Sequence, residues 1–298
     1  MNKRKKRGNK YLVMVVILAV VLAFLVLVLV FKEDISFSPS QPTGVKINVG
    51  NAIPTIVDLQ PIPNVNLNPS PSTTSVTVTF TARDSNGASD LVDETALAEF
   101  TNAGEQTRTG TCSVQSQTQK EKTYQCAVLM DYFDKSGGWA VNVKVNDTKL
   151  VSATSSSTFI VNLLRDISLS SAIINFPSAA PGDFNIISTE QTVITNNGNF
   201  EAPPGAIIVT SYDLVGEVDS IQNIPAANFK AAGASQADVC GQGDSLIHSS
   251  PKPIATSSLS RGPTGNTETL SYCLTSVPDI SSQTYSAIGG NAWVIAIN

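Results

Sequence analysis

The run Asp84-Ser85-Asn86-Gly87-Ala88-Ser89-Asp90-Leu91-Val92-Asp93-Glu94 is the densest acidic stretch in the chain. Asp84, Asn86, Asp90, Asp93 and Glu94 could bring carboxylate and amide oxygens round a hard cation, calcium before others, in a loop between two strands. The spacing is not that of an EF-hand, which has its glycine at the sixth position of the loop, whereas Gly87 is the fourth residue from Asp84. Asn, Asp and Gly are also what ordinary turns are made of, so turn chemistry alone accounts for the same residues. Calcium is the one cofactor the sequence brings forward.

The four cysteines, Cys112, Cys126, Cys240 and Cys273, are even in number and contain no Cys-x-x-Cys pair. With a single histidine, His248, in the chain, a zinc site is disfavoured and disulfides are expected. Cys112 and Cys126 lie in adjacent strand-like stretches, "TCSVQ" and "TYQCAV", and one pair falls in each half, so the expected bridges are Cys112–Cys126 and Cys240–Cys273. His248 has no Gly-x-Ser-x-Gly elbow beside it. Ser249-Ser250-Pro251-Lys252 spells Ser-x-x-Lys without its companion motifs, and "GQGDSL" from Gly241 lacks the third glycine of a dinucleotide fingerprint. The carboxylates show no spacing that singles out a glycosidase pair. A non-enzyme is expected. Asn146-Asp147-Thr148 is the one N-x-S/T sequon, making Asn146 the candidate glycan acceptor.

The elements that must hold these residues are strands. In "GGWAVNVKVND" Trp139, Val141, Val143 and Val145 alternate with polar or small residues, so one face enters a core. "SVTVTFTARD" turns Val76, Val78, Phe80 and Ala82 inward, and "TYQCAVLMDYF" does the same with Tyr124, Cys126, Val128, Met130 and Tyr132. Short alternating strands punctuated by Asn, Gly, Asp and Ser, with no intervening helical period, predict an all-β chain of two β-sandwiches.

Tyr11 to Phe31 is a run without charge or strong polarity. As a helix it spans roughly 31 Å, matching a hydrocarbon core of about 30 Å. It is longer than the apolar region of a secretory signal and ends without an A-x-A-like site, so a transmembrane anchor is expected. Lys3, Arg4, Lys5, Lys6, Arg7 and Lys10 precede it, which the positive-inside rule reads as a cytoplasmic N-terminus with the remainder extracytoplasmic. Setting those six aside leaves 13 basic residues against 24 acidic ones, which disfavours nucleic acid as a partner. The expected divisions are a basic segment 1–10, a membrane helix 11–31, a Ser/Pro/Gly-rich stalk 32–52, a first sandwich 53–153 and a second 154–298. The Ser-rich "SATSSSTF" is taken as the joint, with a short helix near Ala226–Ala234 and strands at "TETLSYCLTSV" and "AWVIAIN".

"VTFTARDSNGASDL" followed by "TYQCAVLMDYFDKSGGWAVNVKVNDT" resembles the Ig-like or PKD-like β-sandwich modules of archaeal cell-surface proteins. "TVITNNGNFEAPPGAIIVTSYDL" is similar to the Asn-Gly-centred strands of CARDB-like envelope modules. The resemblance implies Ig-like domains. The anchor, the modular strands and the absence of a catalytic set then give the expected function, a structural or adhesive envelope protein, with membrane lipid as partner of the helix and other envelope proteins or surface glycans as partners of the domains. "KKRGNKYLV" resembles the basic-Gly start of a prepilin leader, giving a pilin-like filament subunit as the alternative, although Val13 stands where bacterial-type pilins place an acidic residue. A carbohydrate-binding module and an anchored hydrolase are lesser alternatives. Parity places Trp139 in the core rather than on a sugar-stacking surface.

Overall fold

The computed structural model describes residues 7–30, 44–287 and 291–298. The chain divides into two compact units, Met1–Gly50 and Asn51–Asn298. In the first, α1 (Arg7–Val30) is helical throughout, and every described side chain from Tyr11 to Val30 is exposed. Among the described residues it is the one helix long and apolar enough to cross a membrane. The basic residues Lys3, Arg4, Lys5 and Lys6, the last position of the expected membrane helix, Phe31, and positions 32–43 of the expected stalk lie outside the described residues. Positions 44–50 have no regular structure and are exposed.

The second unit opens with seven antiparallel strands: β1 (Thr55–Leu59), β2 (Thr73–Arg83), β3 (Leu91–Thr101), β4 (Arg108–Gln117), β5 (Glu121–Asp131), β6 (Gly137–Asp147) and β7 (Ser152–Val161). Their order is β1-β2-β5-β4-β3-β6-β7. β4 belongs to both layers: Arg108–Thr111 pairs with β3, and Cys112–Gln117 with β5. A Cβ at Gly110 would sit 2.2 Å from the Ala127 carbonyl oxygen, so only glycine lets β4 approach β5 this closely where it changes layer. The core takes the alternating sets as expected, with Val76, Val78, Phe80 and Ala82 from β2, Tyr124 to Met130 from β5, and Trp139 to Val145 from β6. Trp139 is fully buried, and its indole N–H donates to the Lys135 carbonyl at 2.8 Å. Tyr132 departs from the expected set: it lies in the turn after β5, where its hydroxyl donates to the Gly262 carbonyl.

The stretch expected as a joint is β7 itself, paired with β6 from Gly137↔Val161 to Asn146↔Ser152. Ala153, Phe159 and Val161 enter the first core. The first sandwich therefore extends past 153, and the crossing to the second lies at 162–166. The serines that give this stretch a linker's composition sit equally well on a strand with one face in water.

The second sandwich is built from short pieces: β8 (Ile167–Leu169), β9 (Phe184–Ile187), β10 (Thr192–Asn196), β11 (Ile207–Thr210), β12 (Leu214–Gly216), β13 (Asn223–Ile224), β14 (Phe229–Gly233), α2 (Val239–Gln242), β15 (Asp244–Ser245), β16 (Pro251–Pro253), β17 (Thr267–Ser276), β18 (Tyr285–Ser286) and β19 (Val294–Ile297). β17 is its spine, with β14 on one edge and β10 and β9 in succession on the other. The helix expected near 226–234 is a single 3-10 turn, Ala226–Asn228, leading into β14, because Phe229 and Ala231 are drawn into the core as a strand face. Between the sandwiches, the Asn199 side-chain amide donates to the Asp134 and Asn162 carbonyls, each at 3.1 Å. Arg261 forks onto Glu105, with N···O distances of 2.9 and 2.7 Å, and donates to the Phe133 carbonyl at 2.8 Å.

Candidate cation site

On β2 the inward set Val76, Val78, Phe80, Ala82 is continued, one step past the strand end, by Asp84; on β6 the set Trp139, Val141, Val143, Val145 is continued by Asp147. Both carboxylates thus inherit the core face and arrive at the mouth of the sandwich, where both are fully buried. Asp90, half-buried, joins them from the 3-10 turn Ala88–Asp90. Gly87, at φ +129°, makes the reversal that brings that turn back over Asp84. One ligand oxygen from each of Asp84, Asp90 and Asp147 lies within 4.8 Å of the others.

The hydrogen bonds fix these groups without neutralising them. Asp84 Oδ1 accepts the Asn86 N–H at 2.7 Å, whereas its buried Oδ2 has no hydrogen-bond partner among the described residues. Asp147 Oδ1 accepts the N–H groups of Lys149 and Val151, each at 2.8 Å, and Oδ2 accepts the Asn51 amide at 2.7 Å. Burial pushes the Asp147 carboxyl up, but the Asn51 amide, those two N–H groups and the Lys149 charge outweigh it and hold it below the ordinary 3.8. Asp90 Oδ1 accepts the Thr148 hydroxyl, and the Ala52 N–H donates to Asn86 Oδ1. Among the described residues none of the three carboxylates forms a salt bridge.

Of the residues expected to gather round calcium, Asp84 and Asp90 come together, and Asn86 supports the loop between them. Asp93 does not join. It faces the buried Lys122, whose ammonium donates to it at 2.7 Å and to the Leu91 carbonyl at 3.0 Å. It also accepts the Tyr124 hydroxyl at 2.8 Å. Burial first, and then that hydrogen bond, push the Tyr124 phenol well above its ordinary range. Lys122 is an inward residue of β5, and Asp93 is spent on compensating it, which is the physical reason for the correction. Glu94 is exposed. Asp147 is absent from the expected set because Asn146-Asp147-Thr148 reads as a polar strand end and a sequon, although the parity of β6 points it inward.

The remaining site residues are placed as follows. Cys112 and Cys126 stand opposite each other in the β4–β5 register and are bonded, S–S 2.03 Å. Cys240 on α2 is bonded to Cys273 on β17, S–S 1.98 Å, and no cysteine is free. Asn146 is on β6 rather than in a loop, and its side-chain oxygen accepts the Ser152 hydroxyl at 2.8 Å. His248 has Nδ1 3.0 Å from an Asp213 carboxylate oxygen and meets Tyr212 edge-on.

No family model matches the chain, and no curated protein does. Among solved structures, a chain of the chaperone-tip adhesin complex of CFA/I fimbriae biogenesis aligns over 83% of this chain and 83% of its own, at 9% identity and a TM-score of 0.30. The secreted serine protease VesC from Vibrio cholerae aligns over 75% of this chain and 49% of its own, at 8% identity and a TM-score of 0.19. At such scores neither likeness bears on fold or function.

Proposed function

We propose that the chain is a membrane-tethered, extracytoplasmic and non-enzymatic envelope protein, whose two β-sandwiches serve a structural or adhesive role toward other envelope proteins or surface glycans. The observation that carries this reading is the combination, in one chain, of an apolar helix over Tyr11–Val30 with two closed disulfides and no free cysteine. Disulfides persist in oxidising compartments and are rare in the cytosol. The basic cluster before the helix supports a cytoplasmic N-terminus. Surface labelling tests the topology: a membrane-impermeant amine reagent applied to intact cells should modify Lys149, which is exposed in the β6–β7 turn. Modification of Lys149 only after lysis would overturn the reading.

A further inference from the structure

The geometry points to a calcium site formed by Asp84, Asp90 and Asp147 at the mouth of the first sandwich. Three carboxylates converge there, and the fully buried Asp84 Oδ2 has no hydrogen-bond partner among the described residues. A buried carboxylate oxygen left without a partner is costly, and two further carboxylates beside it add repulsion rather than relief. The buried base Lys122 is turned to Asp93 and the Leu91 carbonyl. Lys149 reaches Asp147 through its backbone N–H, and its side chain is exposed. A divalent cation would satisfy all three groups at once.

The donor set selects the ion class. Every ligand is a hard oxygen, with no imidazole or thiolate, which disfavours zinc and copper. Calcium takes about six to eight oxygens in flexible geometry, whereas magnesium demands a near-ideal octahedron, keeps several waters and is usually held by one or two protein carboxylates. Loops of unequal origin supplying three carboxylates suit the larger ion. Bound there, calcium would tie the β2–β3 loop, the end of β6 and, through the Asn51–Asp147 hydrogen bond, the first residues of this unit into one piece. The site stands whichever face of a membrane the unit occupies.

The test uses the full chain in detergent micelles, stripped with EGTA and then titrated with calcium chloride, reading bound calcium by calorimetry and unfolding by thermal melting. One calcium per chain is expected. At about a hundredfold excess over its dissociation constant it should raise the melting temperature by about 5–10 °C, with a smaller rise from equimolar magnesium. Asp84→Asn is the direct variant, but its burial puts folding at risk. Asp90→Asn, at a half-buried position where the Thr148 hydroxyl keeps an oxygen acceptor, is the working one. In EGTA it should melt above the wild type, because one repelling charge is gone. In calcium it should melt below the wild type, having lost the ion. An Asp90 of purely structural value would lower both curves together, and that result overturns the site. So would a wild type indifferent to calcium, or an Asp90→Asn chain that keeps the full calcium rise. Asp93→Asn should retain calcium binding; its loss there would overturn the ligand set.

Discussion

The two sandwiches of the second unit are built on opposite plans. In the first, six of the seven strands run for 10 or 11 residues, and alternate side chains from β2, β5 and β6 fill one continuous core. In the second, β17 alone reaches 10 residues, most strands have 2 to 5, and core residues such as Ala202, Ile254 and Leu259 come from segments between strands. A long alternating strand commits its whole inward face through a single register, so the loss of one large side chain is felt along the sheet. A core gathered from short strands and loops depends instead on many separate closures. Its stability should therefore lean more on cross-links and less on any one residue.

The strongest way to break this contrast is the tryptophan pair, since one sits in each sandwich. Trp139→Ala, at a fully buried position, should destabilise the first sandwich by about 3–5 kcal/mol. Trp293 is only partly buried against Phe229 and Tyr272, and Trp293→Ala should cost less, about 2 kcal/mol. Urea unfolding followed by far-ultraviolet circular dichroism, which senses the strands of both sandwiches, reads each variant against the wild type. A wild-type midpoint for Trp139→Ala would mean that the register of β6 is wrong and that the ring faces water.

Removing the disulfides sharpens the contrast from the other side. The Cys112–Cys126 bridge spans a sequence separation of 14, and Cys240–Cys273 spans 33. Loop-closure entropy then assigns about 3 kcal/mol to the first and about 3.7 kcal/mol to the second. Double Cys→Ser variants of each pair, compared by urea midpoint, should show the larger loss in the second sandwich. Equal or reversed losses would argue that its short strands hold without the bridge.

The smallest effect concerns the contact between the sandwiches. The Arg261 hydrogen bond, acting against burial, holds the Glu105 carboxyl below its ordinary 4.5. A group with a lowered folded pKa contributes stability that is complete above the unfolded value and lost as pH falls through the folded one. Arg261→Ala should thus cost about 1–2 kcal/mol at pH 7 and progressively less as pH drops below about 4.5. A deficit that stays constant from pH 7 to pH 3 would show that Glu105 is not the partner that matters.

What the sequence made legible follows the same division. Trp139 with its three valines, and Val76 through Ala82, state their own period, so the first sheet and its inward face were readable. "SATSSSTF" was not readable as β7, because a strand whose outward residues are serine and threonine has the composition of a linker, and only its pairing with β6 distinguishes them. Phe229 to Gly233 is too short for a strand period to declare itself against a helical one. At the cation site, Asp84 and Asp90 were visible as neighbours in the chain. Asp147 is far along the sequence and reaches them only through the long-range pairing of β3 with β6, Leu91 opposite Asp147. Asp93 was drawn away by a buried lysine that local spacing does not reveal.

The two disulfides also set how far the chain can be drawn out. A pull applied to the ends of the second unit, once both sandwiches have opened, still cannot lengthen the 14-residue and 33-residue separations that the bridges close. At about 3.5 Å per extended residue these loops withhold roughly 50 Å and 115 Å of contour. An oxidised chain under tension would therefore stop short of its covalent length by about 165 Å, and only a reductant would let out the remainder.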